Sequence, residues 1–145
     1  MVRVDLQNGV NQSENPKLSF KDGTFKVEGY QTFNINKLGL HNPKRKLLKK
    51  STEIKKIIKK NQKNCHSLLD VGCSQGYYSF YANFKNYRVT SIEQDPFYFK
   101  QVKKINTKLG FNINFRHNNF SSLDDTQYDI VLFLAVIHWI YYSIK

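Results

Sequence analysis

The sequence lacks several features that mark whole classes of proteins. Its only cysteines are Cys65 and Cys73, with no C-x-x-C pair and no cluster of His and Cys, which argues against a disulfide scaffold or a zinc site. No apolar run approaches the ~20 residues that cross a bilayer, and the N-terminus lacks the apolar stretch of a signal peptide. We therefore expect a cytoplasmic protein with reduced thiols that binds neither a metal nor a membrane.

Acidic residues are also scarce. The chain has 11 Asp and Glu against 23 Lys and Arg, which gives a formal net charge of +12. Such an excess is typical of proteins that bind nucleic acids. Only four of the basic residues are arginines, however, and Asn, Ile, Phe and Tyr are abundant. This mixture is also typical of proteins encoded by A/T-rich genomes, in which lysines accumulate on surfaces without a partner, so both interpretations stay open.

The first part of the chain predicts an N-terminal extension over residues 1–41. Its first 16 residues are polar and show no periodicity, which predicts a poorly ordered N-terminal segment. Apolar and polar residues then alternate on either side of Asp22-Gly23, the signal of a β-hairpin. Residues 31–35 indicate a further extended piece. The apolar positions of the hairpin are Leu18, Phe20, Phe25 and Val27.

A lysine-rich segment follows this extension. Asn42 as the cap and Pro43 as the first helical residue predict the start of a helix. This helix would pack on a sheet through its apolar face and expose its basic face to solvent. The alternative is that the basic face binds a nucleic acid. The apolar face of the predicted helix consists of Leu47, Ile54, Ile57 and Ile58.

From residue 67 onward, short apolar runs alternate with helical segments. One helix starts at Tyr77, and a second is capped by Asp95-Pro96 and stops at Gly110. Strands with continuous apolar character, separated by helices, predict an α/β fold in which an open parallel sheet is flanked by helices. This predicted domain spans residues 42–145. Its predicted strands are residues 67–71, 88–92, 113–116 and 128–134.

Two features of this region predict a cofactor site. The first strand ends at a glycine turn, where Gly72 permits a tight turn and Gly76 permits close approach of a ligand. This turn lies at the carboxyl edge of the sheet, where open α/β sheets bind ligands. Glu93 ends the second strand 17 residues after Gly76. A carboxylate there accepts hydrogen bonds from the two vicinal hydroxyls of a ribose.

These segments resemble motifs of the class I S-adenosylmethionine-dependent methyltransferases. Residues 68–76, Leu-Leu-Asp-Val-Gly-Cys-Ser-Gln-Gly, resemble the first motif of that family, and residues 89–96 resemble the second. Residues 128–134 resemble the fourth motif, and residues 135–140 a stretch that commonly follows it. The likeness implies a Rossmann-like sheet of which about four strands are present. It also implies S-adenosylmethionine as the cofactor, S-adenosylhomocysteine as the product, and methyl transfer to an acceptor that the sequence does not identify.

The resemblance also implies roles for individual residues. Glu93 would bind the ribose hydroxyls, Gln94 would lie beside the adenine, and Asn119 would read the adenine where the family often has an acidic residue. His138 is the candidate catalytic base, with packing beside Trp139 as the alternative. The implied cofactor-binding residues are Asp70, Gly72, Cys73, Ser74, Gly76, Glu93, Gln94, Asn119, Phe120 and Leu134.

Other functions compete with methyl transfer. Gly72 to Gly76 also fits the G-x-S-x-G elbow of α/β-hydrolases, with Ser74 as nucleophile and Asp129 and His138 following in the hydrolase order. That elbow normally follows several strands, and it gives Glu93 no role, which favours the methyltransferase. An NAD-binding unit is disfavoured because it would show G-x-G-x-x-G.

Two non-enzymatic alternatives remain at this stage. One is an incomplete cofactor-binding fragment whose sheet is completed by a partner chain or by a missing C-terminal segment, since an exposed sheet edge invites pairing. The other is a basic RNA-binding module.

Overall fold

The computed structural model describes residues 16–119 and 126–134, which form two sheets and three helices. An antiparallel sheet comes first, in the order β1-β2-β3-β4, and a parallel sheet follows, in the order β7-β6-β5-β8. The predicted open parallel sheet with flanking helices is therefore confirmed. The elements are β1 (Lys17–Lys21), β2 (Thr24–Glu28), β3 (Phe33–Asn36), β4 (Gly39–His41), α1 (Arg45–Asn61), β5 (Ser67–Val71), α2 (Tyr77–Phe84), β6 (Arg88–Ile92), α3 (Pro96–Leu109), β7 (Asn114–Arg116) and β8 (Ile130–Phe133).

The predicted N-terminal hairpin is present. Asp22 and Gly23 both have positive φ, 51° and 78°, as a two-residue type I′ turn requires. Strand β4 was not predicted, because three residues are too few to show alternation. Its turn had a signal in the sequence nonetheless, since the Asn36 side-chain oxygen accepts hydrogen bonds from the backbone N–H groups of Leu38 and Gly39 at 2.9 and 3.2 Å.

Helix α1 starts later than predicted. Asn42 has a φ of 49° and does not cap the helix. The N-cap is Lys44, whose backbone N–H donates to the Thr32 carbonyl at 3.0 Å. Lys44 is still extended, with a φ of −59° and a ψ of 149°, so the first helical residue is Arg45.

The apolar face of α1 is narrower than predicted. Leu47 and Ile58 are buried and Ile54 packs partly against the core, whereas Ile57 is 52% exposed. A helix turns by about 100° per residue, so Ile57 lies too far round from Ile58 to face the same core.

One main core joins the two sheets. Phe25 and Phe33 of the antiparallel sheet, Leu68 of β5 and Phe80 of α2 belong to a single buried cluster, which also contains the buried apolar residues of α1 and α3. The three described helices therefore cover the same face of the parallel sheet. A domain boundary between residues 41 and 42 stays a prediction.

The opposite face of the parallel sheet carries a smaller cluster. It consists of Leu69, Val71 and Ile92, with Tyr128 packed against them, because alternate residues of a strand point to opposite faces. On β8, whose apolar run predicted burial on both faces, Val131 and Phe133 are 43% and 37% exposed. Within the described ranges, this face forms a shallow apolar groove of about 230 Å³.

Candidate cofactor site

The glycine turn connects β5 to α2 at the carboxyl edge of the parallel sheet. Gly72, Ser74 and Gly76 all have positive φ, at 72°, 55° and 86°. The backbone N–H groups of Gly72 and Cys73 donate to the Ile92 carbonyl at 2.8 and 3.1 Å. The turn is thus anchored to the end of β6, the strand that leads into Glu93.

Gly76 lies in close contact with the helical core. A Cβ at this position would lie 2.8 Å from the Phe80 ring and 2.9 Å from Val102. The absent side chain therefore makes room for helix packing in the core, and the approach of a ligand at Gly76 stays a prediction. The positive φ of Gly76 is a second reason for glycine here.

Glu93 lies directly against the glycine turn. The residue is 6% exposed; one carboxylate oxygen accepts a hydrogen bond from the Ser74 N–H at 2.7 Å and the other accepts one from the Asp95 N–H at 2.9 Å. Burial raises the pKa of Glu93, and these backbone hydrogen bonds oppose that rise. The structure brings together the two features that the sequence paired, the glycine turn and the carboxylate after β6.

Asp70 lies beneath the turn rather than in it. Its carboxylate is buried and accepts a hydrogen bond from the Ser79 hydroxyl at 2.7 Å, and that hydroxyl lies 2.7 Å from the Ser91 hydroxyl. Burial, with a smaller contribution from the charge of Glu93, raises the pKa of Asp70 to about 6. Ser79 and Ser91 were missed in the sequence, although polar residues inside apolar elements were a signal for them.

The side chains of Cys73 and Ser74 are both buried in the turn. Burial raises the pKa of the Cys73 thiol well above its ordinary value, so it is not a thiolate at neutral pH. The Ser74 hydroxyl has no hydrogen-bond partner among the described residues. A buried hydroxyl without a partner is costly. Its position in the glycine turn fits a site in which a polar ligand would supply the hydrogen-bond partner.

The other predicted cofactor residues follow the carboxyl ends of neighbouring strands. Gln94 is exposed after β6, with its carbonyl oxygen 3.1 Å from the His117 ring, and Asn119 is exposed after β7. Leu134 follows β8 and packs partly against the main core. Phe120 and His138 lie outside the described residues.

Sequence reasoning missed two glutamines beside the turn. Gln75 is fully buried; its side-chain oxygen accepts from the Gln31 N–H at 2.8 Å, and its amide nitrogen donates to the Glu28 carbonyl at 2.8 Å. The Gln31 side-chain oxygen in turn accepts from the Tyr77 N–H at 3.0 Å, at the N-terminus of α2. No sequence signal links Gln31 to Gln75, because they are 44 residues apart.

The position of Asp129 does not fit the hydrolase alternative. The Asp129 carboxylate accepts hydrogen bonds from the backbone N–H groups of His66 and Ser67, at 2.6 and 3.0 Å, which holds it at the amino end of β5. These bonds lower the pKa of Asp129. Ser74 follows the carboxyl end of the same strand, roughly 15 Å away at ~3.3 Å per residue, so the two cannot belong to one catalytic triad.

Metal and membrane sites find no support in the described part of the chain. Within residues 16–119 and 126–134, no group of three or more His, Cys, Asp and Glu side chains is placed to hold a metal ion. None of the described helices is long and apolar enough to cross a membrane.

Comparison with known families identifies the chain. A family model described as "Methyltransferase domain" matches residues 68–143, which is more than half of the sequence and includes the glycine turn and Glu93. The chain belongs to this methyltransferase family. Together with the parallel sheet, the match makes it a member of the class I, S-adenosylmethionine-dependent group. No curated protein matches the sequence.

Solved structures share the fold of this methyltransferase domain. The PH0226 protein from Pyrococcus horikoshii OT3 is 17% identical with a TM-score of 0.54, over 62% of this chain and 43% of that protein. The bifunctional kinase-methyltransferase WbdD is 20% identical with a TM-score of 0.55, over 68% of this chain and 23% of WbdD. The plantazolicin methyltransferase BpumL, in complex with a monoazolic desmethylPZN analog and SAH, is 18% identical with a TM-score of 0.50, over 60% and 35%. The chain thus matches less than half the length of each of these structures.

Proposed function

We propose that this methyltransferase domain binds S-adenosylmethionine at the glycine turn and transfers its methyl group to an acceptor. The observation that carries the proposal is the contact between Glu93 and the turn. The Glu93 carboxylate accepts the Ser74 and Asp95 N–H groups and also interacts with the backbone of Gln94. Its two oxygens offer about four lone-pair sites, so it retains capacity for a further donor. A ribose hydroxyl matches that remaining capacity.

The residues around Glu93 fit the rest of such a cofactor. The hydroxyl of Ser74 offers a hydrogen-bond donor that the described protein atoms leave unused. Gln94 and Asn119 are exposed after adjacent strands, where their amides can donate to and accept from the edge of an adenine. The chemistry that the cofactor supplies when bound is an activated sulfonium methyl group. The task of the protein is then to align donor and acceptor.

Calorimetry with S-adenosylhomocysteine tests the binding step. We expect the wild-type protein to bind and Glu93→Ala to abolish binding, because the ribose hydroxyls lose their acceptor. Glu53→Ala is the matched control, since Glu53 is an exposed glutamate of α1 paired with Lys56 at 3.0 Å. A folded wild-type protein that binds no S-adenosylhomocysteine would overturn the proposal, and so would Glu93→Ala binding as tightly as Glu53→Ala. Transfer of a labelled methyl group to candidate acceptors then tests catalysis.

A nucleic acid is our proposal for the class of acceptor. Its support is the exposed face of α1, where the only acidic residue is Glu53. Cations three or four residues apart on a helix repel each other, and a polyanion would relieve that repulsion. The exposed basic residues of this helix are Arg45, Lys46, Lys49, Lys50, Lys56, Lys59 and Lys60.

Charge reversal distinguishes a nucleic-acid-binding face on α1 from a basic face that only contacts solvent. A variant carrying Glu at Lys49, Lys56 and Lys60 should bind an RNA oligonucleotide more weakly, and the slope of log affinity against log salt should fall by about 2 to 3. The control carries Glu at the exposed Lys100, Lys103 and Lys104 of α3. Equal losses in both variants would mean nonspecific charge attraction and would contradict a binding face on α1.

A further inference from the structure

The N-terminal antiparallel sheet is joined to the glycine turn by a reciprocal pair of amides. Gln31 donates its backbone N–H to the side chain of Gln75, and its own side chain accepts the backbone N–H of Tyr77. Gln75 donates its amide back to the Glu28 carbonyl of β2 and to the Gln101 side chain, at 2.8 and 3.2 Å. The two glutamines thus connect one sheet to the residues on both sides of Gly76.

Close packing supports this connection. Gly29 has a φ of 144°, and a Cβ there would lie 2.9 Å from the Gln75 amide. The ring of Phe33 meets the ring of Tyr77 edge-on, with centroids 5.2 Å apart. Both Phe33 and Tyr77 are buried. Residues 28–33 and 75–77 are therefore in close contact as well as hydrogen-bonded.

We propose that Gln31 and Gln75 are positioning residues, which hold the glycine turn in the conformation that binds the cofactor. The inference rests on the proposed function. Ser74, which precedes Gln75, has a φ of 55°, a conformation that residues with a side chain rarely adopt. Such a turn persists only where its surroundings hold it. If the binding conformation becomes a minor state, the apparent dissociation constant rises in inverse proportion to its population.

The test compares three variants by calorimetry with S-adenosylhomocysteine. Gln31→Met keeps the length of the side chain and removes the acceptor for the Tyr77 N–H. Gln31→Glu keeps an acceptor oxygen at the N-terminus of α2, where negative charge is favourable. Asn106→Leu is the matched control. Asn106 is a buried amide that makes two hydrogen bonds with the backbone of Ile113, at 3.1 and 3.3 Å, at the opposite edge of the sheet.

We expect Gln31→Met to raise the dissociation constant about tenfold, as for a turn whose competent population falls to about a tenth. Gln31→Glu should stay within about twofold of the wild type, and Asn106→Leu should lower thermal stability without changing affinity. Gln31→Met binding as tightly as Asn106→Leu would overturn the proposal, because the amide would then only stabilise the fold. So would Gln31→Glu binding as weakly as Gln31→Met.

Amide hydrogen exchange without any ligand keeps this inference separate from the proposed function. Exchange in residues 72–77 should be faster in Gln31→Met than in Asn106→Leu. If the wild type binds no S-adenosylhomocysteine, the proposed function fails while the exchange result still decides whether Gln31 holds the turn. Should Gln31→Met not fold, Gln101→Met takes its place. It removes a half-buried partner of Gln75, and it should accelerate the same exchange, or the proposal is wrong.

Discussion

The backbone N–H of Ser74 donates a hydrogen bond of 2.7 Å to the carboxylate of Glu93. This bond ties the turn after β5 to the end of β6, and a second bond from the Asp95 N–H fixes the other carboxylate oxygen. The group proposed to bind the cofactor is therefore also part of the scaffold of the turn. Substitutions at these positions should change both stability and binding.

Glu93→Gln should lower both the stability of the fold and the affinity for the cofactor. An amide has one acceptor oxygen, so its NH₂ group must face one of the two backbone N–H donors, and a buried donor without a partner costs about 1–3 kcal/mol of unfolding free energy. S-adenosylhomocysteine should bind at least about tenfold more weakly, as for the loss of one charge-assisted hydrogen bond. Urea denaturation and calorimetry measure the two effects. An unchanged denaturation midpoint would contradict the hydrogen bonds described for Glu93.

Asp70→Asn should change the dependence of stability on pH. Burial raises the pKa of Asp70 from 3.8 to about 6. Between these values the unfolded chain has lost its proton and the folded chain retains it, so the folded state loses stability as the pH rises through this window. Asparagine has no proton to lose. The variant should match the wild type near pH 4 and be more stable by up to about 3 kcal/mol above pH 6.

Urea denaturation at about pH 4, 6 and 8 measures that difference. A difference that is constant across the pH range would show that Asp70 does not titrate in this window. The variant keeps an oxygen for the Ser79 hydroxyl, whose hydrogen bond to Asp70 is 2.7 Å long, so the comparison isolates the charge.

Gly76→Ala should be more destabilising than Gly110→Ala. Both glycines have positive φ, 86° and 73°, so each variant pays a backbone cost of about 1 kcal/mol. Only at Gly76 does a Cβ meet Phe80 and Val102, at 2.8 and 2.9 Å, whereas nothing lies within 4 Å at Gly110. Overpacking adds about 1–3 kcal/mol at Gly76. Equal denaturation midpoints for the two variants would contradict the packing role.

Ser74→Gly should stabilise the protein and weaken its binding of the cofactor. Glycine adopts a positive φ without strain, and the variant also removes a buried hydroxyl that has no partner among the described residues. The free energy of unfolding should therefore rise by about 1 kcal/mol. S-adenosylhomocysteine should bind about three- to tenfold more weakly, because it loses the Ser74 hydroxyl.

Asn86→Gly is the control for the backbone contribution at Ser74, since Asn86 has a φ of 65° and is exposed. It should leave cofactor affinity unchanged. If Ser74→Gly also leaves affinity unchanged, the Ser74 hydroxyl does not contact the cofactor.

The sequence alone determined most of the helices and strands, and it paired the glycine turn with Glu93. Asp22-Gly23 predicted the hairpin, the boundaries of β5, β6 and α3 followed from apolar runs and from Asp95-Pro96, and the spacing of Glu93 from the glycine turn predicted that the two share one site. These features are local or follow from the order of strands in a parallel sheet, which brings the carboxyl ends of β5 and β6 together. The start of α1 and the exposure of Ile57 were predicted wrongly. The backbone conformation of residues 42–44 decides where the helix begins, and the rotation of the helix decides which side chains face the core.

Only the tertiary structure decided what individual side chains contact. It placed Gly76 against Phe80 and Val102, turned Asp70 toward Ser79, and held Asp129 at the edge of the sheet opposite Ser74. It also brought Gln31 to Gln75 across 44 residues of chain. Periodicity and spacing report which face of an element is apolar, but a hydrogen bond between distant residues depends on how whole sheets pack. The sequence therefore predicted a cofactor turn, and only the tertiary structure revealed the contacts of the N-terminal sheet with that turn.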